Sequence, residues 1–442
     1  MTIELEGIHK RGRGSVDEYL EQTAIANPHV TIHYKDSEGN STTWDRSTRT
    51  LPPEPKEIKP HPYGVELGRL VALLKDSPGG SLSQFLTQSF SRVSPSTAQG
   101  LCKTAKLSTR ANPRRIGQQE ADALFQAIQQ TRIPAPATDC ISPIGEQTLL
   151  KGLHHVVPGE FYVASTRPPA VYRGNPFLIE AALAYGGSSP TKKVTRDALD
   201  ELLSESDART LRQFLVNTFH GLGSDAADKI LDAAKVGVRV SPAKLAKKEV
   251  DTLFEAMHNV NLDDGQTMSV MRFANRVPLQ FQQAGCAITQ AVMATNWRSY
   301  GLTQSRGGLP GGPVSIMVHM ASVWVPFTSE SKEAVAGYPE IQKELRLALQ
   351  SVGRKLGMYL KRRQRVQQEG QRRNIFLRYL GEVATAVHEI NGADKKALYE
   401  QLLLVAKKKT AEADTRFDQS GKAIEEAEVD FGDNVLIVPQ DT

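Results

Sequence analysis

The chain has 442 residues, 40% of them hydrophobic and 23% charged, with a formal net charge of +5. These values are typical of globular protein and exclude a wholly disordered chain, and the length suggests several domains. No stretch approaches the roughly 18 apolar residues of a membrane span, and the N-terminal sequence lacks the apolar core of a secretory signal. The widely spaced Cys102, Cys140 and Cys286 favour a reducing, cytoplasmic location.

Residues 1–52 are predicted to form a strand, a helix and a hairpin. Ser15, with Glu18 three residues later, is typical of a capping box that opens the helix VDEYLEQTAIA. VTIHYKD and TTWDRST flank the turn sequence SEGNS, which predicts two paired strands. These elements are too few for an independent domain, so we interpret them as the end of a larger one.

A linker and an all-α module are predicted next. LPPEPKEIKPHP (51–62) contains five prolines, which favour an extended linker. Apolar residues then recur at helical spacing in VELGRLVALL, LSQFLTQSF and ADALFQAI. We therefore predict a module of short helices at 60–148.

The following sequence alternates between β-type and helical character. Residues 149–189 and 264–340 are β-rich, and VSIMVHMASVWVPF has the length and β-branched content of a buried strand. Residues 190–263 are helical and interrupt this domain. From 341 to 442 we predict a long helix that leaves the domain, a short helical tail and an acidic end.

The interrupting helices repeat the earlier ones. SLSQFLTQSF (81–90) aligns with TLRQFLVNTF (210–219) at an offset of 129 residues, and the alignment continues without gaps to 121–127 against 250–256. The matches include not only core positions but also Gln84/Gln213, Arg110/Arg239 and Pro113/Pro242. We predict that 190–263 is a second copy of the helical module inserted into the β-rich domain.

Six long strings in a fixed order carry a resemblance to a known family. They are KPHPYGVE (ending at Glu66), TDCISPIGE (138–146), TRPPAVYRGNPF (166–177), RFANRVPL (272–279), NWRSYGL (296–302) and VPFTSESKEAVA (325–336). Together they resemble the B subunit of DNA topoisomerase VI, a type IIB topoisomerase.

The resemblance implies an α+β multidomain fold. Residues 1–52 would be the C-terminal remnant of a GHKL-type ATPase domain, 60–148 a helix–two-turns–helix domain, 149–189 with 264–340 a ribosomal-S5-like transducer, and 341–442 a stalk helix with its tail. It implies an ATP-dependent type II enzyme that relaxes and decatenates double-stranded DNA as an A2B2 heterotetramer. The expected partners are the topoisomerase VI A subunit together with a second B subunit, without a membrane.

The chain departs from the family pattern in two ways. The catalytic Glu, the magnesium-binding Asn and the Asp-x-Gly-x-Gly box of the ATPase domain are not found, so they are expected ahead of Met1. We therefore expect a truncated, internally started or split-gene polypeptide that holds no complete catalytic centre and binds ATP and Mg²⁺ only within the complete subunit. The second departure is the inserted helical copy. An alternative is a non-enzymatic DNA-binding or scaffold protein derived from this family.

The resemblance also assigns candidate site residues. Lys332, in SESKEAVA, matches the transducer lysine that contacts the ATP γ-phosphate, where an ammonium senses the presence of that phosphate. Taken alone, such a lysine is usually a solvated surface residue. We find no residues spaced as metal ligands: His154, His155 and His319 are interpreted as structural.

Three basic clusters are candidates for DNA contact. Lys10, Arg11 and Arg13 lie in a tight turn that resembles a DNA-contacting loop of the family, and cations there would reach phosphates without reading bases. The string NWRSY matches a family motif that contacts DNA through Trp297, Arg298 and Tyr300, against the alternative that Trp297 is a core residue. The third cluster is a basic run on the predicted stalk, and such a run is more often a solvated helix face: Arg362, Arg363, Arg365, Arg372 and Arg373.

Overall fold

The structure is a computed structural model. It describes residues 14–36, 39–186, 194–204, 206–219, 222–260, 268–410, 416–417 and 420–424. The predicted DNA-contacting loop with Lys10, Arg11 and Arg13 and the acidic end of the chain lie outside these residues. None of the helices in the described ranges combines the length and apolar character needed to cross a bilayer.

The described elements are numbered here in chain order. The helices are α1 (Val16–Ala26), α2 (Leu67–Lys75), α3 (Leu82–Ser89), α4 (Pro95–Thr104), α5 (Gln118–Gln130), α6 (Glu146–Val156), α7 (Arg196–Ser204), α8 (Leu211–Thr218), α9 (Ser224–Ala234), α10 (Lys247–Asn259), α11 (Ala287–Ala294), α12 (Pro339–Asn391) and α13 (Lys395–Lys409). The strands are β1 (Ile32–Lys35), β2 (Ser41–Trp44), β3 (Phe161–Thr166), β4 (Ala170–Tyr172), β5 (Asn175–Tyr185), β6 (Ser269–Ala274), β7 (Val277–Pro278), β8 (Thr303–Gln304), β9 (Pro310–Gly311), β10 (Val314–Ser322), β11 (Arg416–Phe417) and β12 (Ala423–Ile424).

The predicted helix and hairpin near the N-terminus are confirmed. The Ser15 hydroxyl accepts a hydrogen bond from the Glu18 N–H at 3.1 Å and caps α1. The Glu18 carboxylate, however, accepts from the N–H of Gly14 rather than from that of Ser15, so the capping box is not reciprocal. Strands β1 and β2 pair antiparallel, with Ile32 opposite Trp44.

A mixed sheet forms the centre of the β-rich part, with strand order β3-β5-β10-β6-β7. Strand β10 pairs antiparallel with β5 and parallel with β6. Strand β3 pairs with residues 180–185 of β5, and β4 pairs with residues 175–177 at the beginning of β5. Because successive side chains of a strand point to opposite faces, residues 179, 181 and 183 of β5 pack on one face and residues 182 and 184 on the other. The buried strand predicted at VSIMVHMAS is thus confirmed as β10.

Helices cover both faces of this sheet. Helix α11 and the beginning of α12 cover one face, whereas α1 and α6 cover the other. Leu149 and Leu153 of α6 belong to the core of the sheet and not to that of the preceding helices. The boundary predicted between 148 and 149 therefore falls inside a helix that packs on the sheet.

Two helical segments correspond to each other element by element. The first helical segment (α2–α5) and the second helical segment (α7–α10) each enclose a separate hydrophobic core. Adding 129 to the bounds of α2, α3 and α5 gives the bounds of α7, α8 and α10. Phe85 and Phe90 pack edge to face at 5.9 Å, and their counterparts Phe214 and Phe219 do so at 6.1 Å. The correspondence includes α2 and α7, which the sequence comparison did not reach.

Helix α12 has 53 residues and is therefore roughly 80 Å long. Its first five turns contribute Ile341, Leu345 and Leu356 to the sheet core. After Gly392, helix α13 runs back along α12, where Arg373 donates a hydrogen bond from Nε to the Thr410 hydroxyl at 2.7 Å. The predicted long helix is confirmed, and its helical tail packs against it.

Candidate functional site

The predicted phosphate-sensing lysine lies at the tip of an exposed turn. The turn is closed by a bridge between Phe327 and Val335 and by a hydrogen bond from the Thr328 N–H to the Ala334 carbonyl at 2.9 Å. Lys332 has φ of 57°, in the left-handed region that favours glycine. A lysine in this conformation carries a steric cost that a glycine would avoid. The presence of lysine therefore indicates a role for its side chain.

The base of this turn is joined to the core beneath the sheet. The Val335 N–H donates to the Cys286 Sγ at 3.5 Å, and the Ala287 N–H donates to the Val335 carbonyl at 2.8 Å. Val335 is fully buried in the same core as Ile341 at the beginning of α12. The turn that carries Lys332 thus shares its packing with α11 and with the root of the long helix.

The structure corrects the predicted role of Trp297. Its side chain has no exposed surface, and its Nε1–H donates to the Val292 carbonyl at 2.8 Å. A fully buried indole cannot contact a duplex, so Trp297 is a core residue, as the alternative interpretation had it. The aromatic signal misled because a tryptophan suits a core as well as a nucleic-acid surface.

Tyr300 is likewise engaged by the long helix. Its ring packs on the backbone of Gly353, where an added Cβ would lie 2.5 Å from the ring Cε2 atom. Gly357, one turn further along, faces the backbone of Tyr300. The two glycines let the Trp297–Tyr300 turn sit close against α12, so Tyr300 serves this packing.

Arg298 alone of the three NWRSY candidates remains exposed. Its Nε donates to the Gln304 carbonyl at 2.7 Å, and its Nη2 contacts the same oxygen. The carbonyl carries no net charge, so the guanidinium keeps its full positive charge at the surface. The structure places this cation on a short turn whose aromatic residues anchor it.

The basic run on α12 is largely engaged within the chain. Four of its arginines contact other residues: Arg362 with Gly421, Arg363 with Glu160, Arg372 with Glu369 and Arg373 with Thr410. Arg365 is exposed, and the described contacts include none for its guanidinium. Arg362, Arg363, Arg365 and Arg372 are nevertheless exposed, as expected for the alternative of a solvated helix face.

A row of exposed apolar side chains follows α12 beyond its basic part. They are large residues at helical spacing, with exposed fractions of 46–84%: Ile375, Phe376, Tyr379, Val383 and Ile390. Leu380 and Ala384, on the adjacent face, are buried where α13 packs back. We call the five exposed residues the apolar row. Exposed large side chains in such a row are typical of a surface that meets a partner.

A buried polar network, which the sequence did not reveal, joins the sheet to α1. The carboxylate of Glu180 accepts hydrogen bonds from the Ile144 and Gly145 N–H groups, both at 2.8 Å. It also accepts from Nδ1 of His319 at 2.9 Å, while Nε2 of His319 accepts from the Arg276 N–H at 3.0 Å. An imidazole that accepts at Nε2 is the neutral Nδ1–H tautomer.

Arg276 extends this network to the N-terminal helix. Its guanidinium donates to the Ala26 carbonyl at 3.2 Å and to the Pro143 carbonyl at 3.0 Å. Burial by itself raises the pKa of Glu180, but the hydrogen bonds from His319 and from two backbone N–H groups outweigh it and hold that pKa below its usual range. The network therefore fixes α1 and the 143–145 segment to the sheet. In the described residues no three potential metal-ligating side chains cluster.

Comparison with known proteins relates the sheet and its covering helices to a protein family. The profile of the family described as "Topoisomerase VI B subunit, transducer" matches residues 136–199 and 255–372. The match identifies a transducer domain of the topoisomerase VI B-subunit family in this chain. The matched range takes in α6, the sheet and more than half of α12, and it leaves out 200–254, most of the second helical segment.

Relatives of this family match along most of the chain. The chain is 35% identical over 391 residues to the B subunit of type 2 DNA topoisomerase 6 from Methanosarcina mazei, covering 88% of this chain and 51% of that protein. For the protein of the same name from Archaeoglobus fulgidus, identity is 37% over 366 residues, covering 83% and 48%. For that of Pyrococcus horikoshii, it is 27% over 446 residues, covering 90% and 65%. The chain thus spans about half the length of the first of these relatives.

Proposed function

We propose that the chain acts as a B-subunit polypeptide of an ATP-dependent type II DNA topoisomerase. In this role it couples the ATP state to DNA capture and strand passage, and so contributes to relaxing and decatenating duplex DNA together with the A subunit. The observation that carries the proposal is the shared core of the Lys332 turn, α11 and α12. In this transducer domain, the exposed Lys332, whose backbone lies in the left-handed region, is thereby joined to the 53-residue helix α12.

Lys332 is the residue that senses the nucleotide in this proposal. Its ammonium is exposed, and no carboxylate among the described residues forms an ion pair with it, so it is free to meet an anion. ATP with Mg²⁺ supplies the free energy of the cycle when bound to the complete subunit. Lys332 binds the terminal phosphate, and any displacement of its turn passes through Val335 to the core at the root of α12.

The same proposal assigns surfaces to the partners. Duplex DNA is held by the exposed Arg298 and by Lys10, Arg11 and Arg13 of the turn predicted from the sequence, which lies outside the described residues. The A subunit binds the apolar row at the far end of α12, because these side chains are exposed in the chain and a partner helix would bury them. A second copy of the chain completes the A2B2 assembly.

The test is reconstitution of ATP-dependent relaxation of a supercoiled plasmid by the chain, supplied with a polypeptide that carries the nucleotide-binding motifs, together with the A subunit of the same organism. Lys332→Ala should reduce the relaxation rate by at least tenfold, while the matched variant Lys343→Ala, which removes an exposed lysine of α12, should leave it unchanged. Phe376→Ser with Tyr379→Ser should abolish co-purification with the A subunit. Equal rates for both lysine variants, or undiminished co-purification, would contradict the proposal.

A second function is favoured by one observation. The second helical segment lies mostly outside the family profile, which suits a DNA-binding or scaffold protein that derives from this family but is independent of ATP. Calorimetric titration with a non-hydrolysable ATP analogue and Mg²⁺, of the chain supplied with a polypeptide that carries the nucleotide-binding motifs, separates the two. Binding that Lys332→Ala weakens supports the coupled enzyme. DNA binding without any nucleotide effect, in the presence of the A subunit, supports the scaffold.

A further inference from the structure

The connections between the last two helices of the two helical segments have the same backbone. The N–H of Lys106 donates to the Lys103 carbonyl at 3.1 Å, and at the equivalent place the N–H of Lys235 donates to the Asp232 backbone carbonyl, also at 3.1 Å. Both connections then contain a short 3-10 turn, Pro113–Arg115 in one segment and Pro242–Lys244 in the other. Side chains at equivalent positions therefore project from the same frame.

The charges of the two segments have otherwise diverged. Residues 67–130 contain eight basic and three acidic residues, for a net charge of +5. Residues 196–259 contain nine basic and eleven acidic residues, for a net charge of −2. Most cations of the first segment have no cationic counterpart: Lys103, for example, corresponds to Asp232. Charge at a given surface position was therefore free to change after the duplication.

Three cationic positions have nevertheless been kept, and all of them lie in this connection. They are the pairs Lys106/Lys235, Arg110/Arg239 and Arg115/Lys244. All six side chains are exposed, and none takes part in an ion pair among the described residues. Core packing explains the neighbouring matches Ala105/Ala234 and Pro113/Pro242, which are buried, but it does not explain exposed cations.

The backbone at the first of these positions argues for a role of the side chain. Lys106 has φ of 58° and Lys235 has φ of 57°, each just after the end of a helix. Glycine or asparagine is preferred at such a left-handed position, because other residues carry a steric cost there. Both copies nevertheless have lysine, so the ammonium is retained against a local preference.

From these observations we infer that Lys235, Arg239 and Lys244 form a phosphate-binding site for duplex DNA on the second helical segment, equivalent to a site at Lys106, Arg110 and Arg115 on the first. The inference rests on the proposed function for the presence of DNA. One duplex presents the same phosphate group at regular intervals along its length, so a single DNA molecule can contact both copies of the site. Carboxylates on a folded acidic protein have no such regular spacing.

The experiment measures binding of the whole chain to a fluorescein-labelled duplex by anisotropy at several salt concentrations. The test variant is Lys235→Gly with Arg239→Gln, and its counterpart in the first segment is Lys106→Gly with Arg110→Gln. The control is Arg209→Gln with Lys229→Gln, which removes two exposed cations of the second segment that have no cationic counterpart in the first. All three variants change the net charge equally.

Each test variant should weaken binding to any duplex sequence and reduce the slope of log affinity against log salt by about 0.9 for each lost contact. The control should leave that slope unchanged. Glycine at 106 or 235 suits the left-handed backbone, so the melting temperature should stay the same or rise, which separates loss of contact from loss of fold.

The outcomes distinguish the inference from the proposed function. If the unaltered chain binds DNA and the test variants bind as the control does, this inference alone is overturned. If only the first-segment variant loses affinity, the second segment has no phosphate site, and the inference fails again. If the unaltered chain does not bind duplex DNA, the DNA contact of the proposed function fails together with it.

Discussion

At the scale of single residues, the environment decides what a side chain contributes. Trp297 and Arg298 are neighbours in one turn, yet the indole is enclosed and the guanidinium is exposed. Glu180 and His319 are fully buried and satisfy each other's hydrogen bonds. A buried polar group without such partners would destabilise the fold, so these residues stabilise it only as a connected set.

Trp297 and Arg298 should separate stability from DNA binding. Trp297→Phe should lower the free energy of unfolding by roughly 1–3 kcal/mol, because it removes packed volume and the hydrogen bond to Val292. Trp297→Phe should leave DNA affinity unchanged. Arg298→Ala should weaken DNA binding and leave the free energy of unfolding unchanged. Chemical denaturation and anisotropy titration of both variants provide the check. Weakened DNA binding by a stable Trp297→Phe protein would contradict the assignment.

The ionised carboxylate of Glu180 should stabilise the fold at neutral pH and lose this effect in acid. Its pKa is lowered in the fold from the ordinary value of 4.5, so its contribution is fully present above about pH 4.5 and is lost as the pH falls through the lowered value. Glu180→Gln should destabilise the protein at pH 7 by on the order of 3 kcal/mol, because its buried partners lose the carboxylate.

The measurement for Glu180 is denaturant unfolding of both proteins between pH 7 and pH 3. The difference between them should be constant near neutrality and should shrink below about pH 4.5. A difference that stays the same down to pH 3 would show that the carboxylate does not act through its charge.

At the scale of elements, α12 has different requirements along its length. Near its beginning it packs closely against the sheet and the Trp297–Tyr300 turn, and Gly353 permits the contact with Tyr300. Further on it is basic and solvated, and then it presents the apolar row. Helical periodicity alone predicts the whole helix but not this division of roles.

Gly353 and Gly370 of α12 should respond oppositely to alanine. A Cβ at Gly353 would meet the Tyr300 ring at 2.5 Å, so Gly353→Ala should destabilise the protein by about 1–3 kcal/mol. Gly370 has nothing within 4 Å of an added Cβ, and Gly370→Ala should stabilise α12 by up to about 1 kcal/mol through helix propensity. Thermal unfolding of both variants tests this, and a shift of the same sign in both would contradict it.

At the scale of the whole molecule, the second helical segment is inserted between strands β5 and β6 of the central sheet. Strands β5 and β6 both pair with β10, with Tyr185 opposite Val314 and Ser269 beside Ser315. Two strand spacings separate them, or about 10 Å. Because the second helical segment has its own core, the sheet does not depend on it for apolar packing.

Removing the insertion should leave the remainder folded. Replacement of residues 187–267 by a short Gly-Ser linker that spans about 10 Å should preserve the far-ultraviolet circular dichroism expected for the remaining elements and a cooperative melting transition. The isolated segment 194–260 should fold independently on its own core. Loss of cooperative melting in the shortened chain would show that the insertion is integral to the sheet domain.

The sequence by itself determined the helices and strands, the duplication and the family. Periodicity, capping residues and turn residues act over a few positions, so α1, β10 and α12 were predictable. Matching strings were enough to name the family and to nominate Lys332, although its contact with a phosphate stays a prediction.

Only the tertiary structure decided the environments of the candidate residues. It buried Trp297, placed Tyr300 against Gly353, paired Glu180 with His319 and moved α6 onto the sheet. Each of these depends on residues far apart in the chain that meet by packing, and no local pattern records which of them will meet. The same packing joins Lys332 to the root of α12, which is the basis of the proposed coupling.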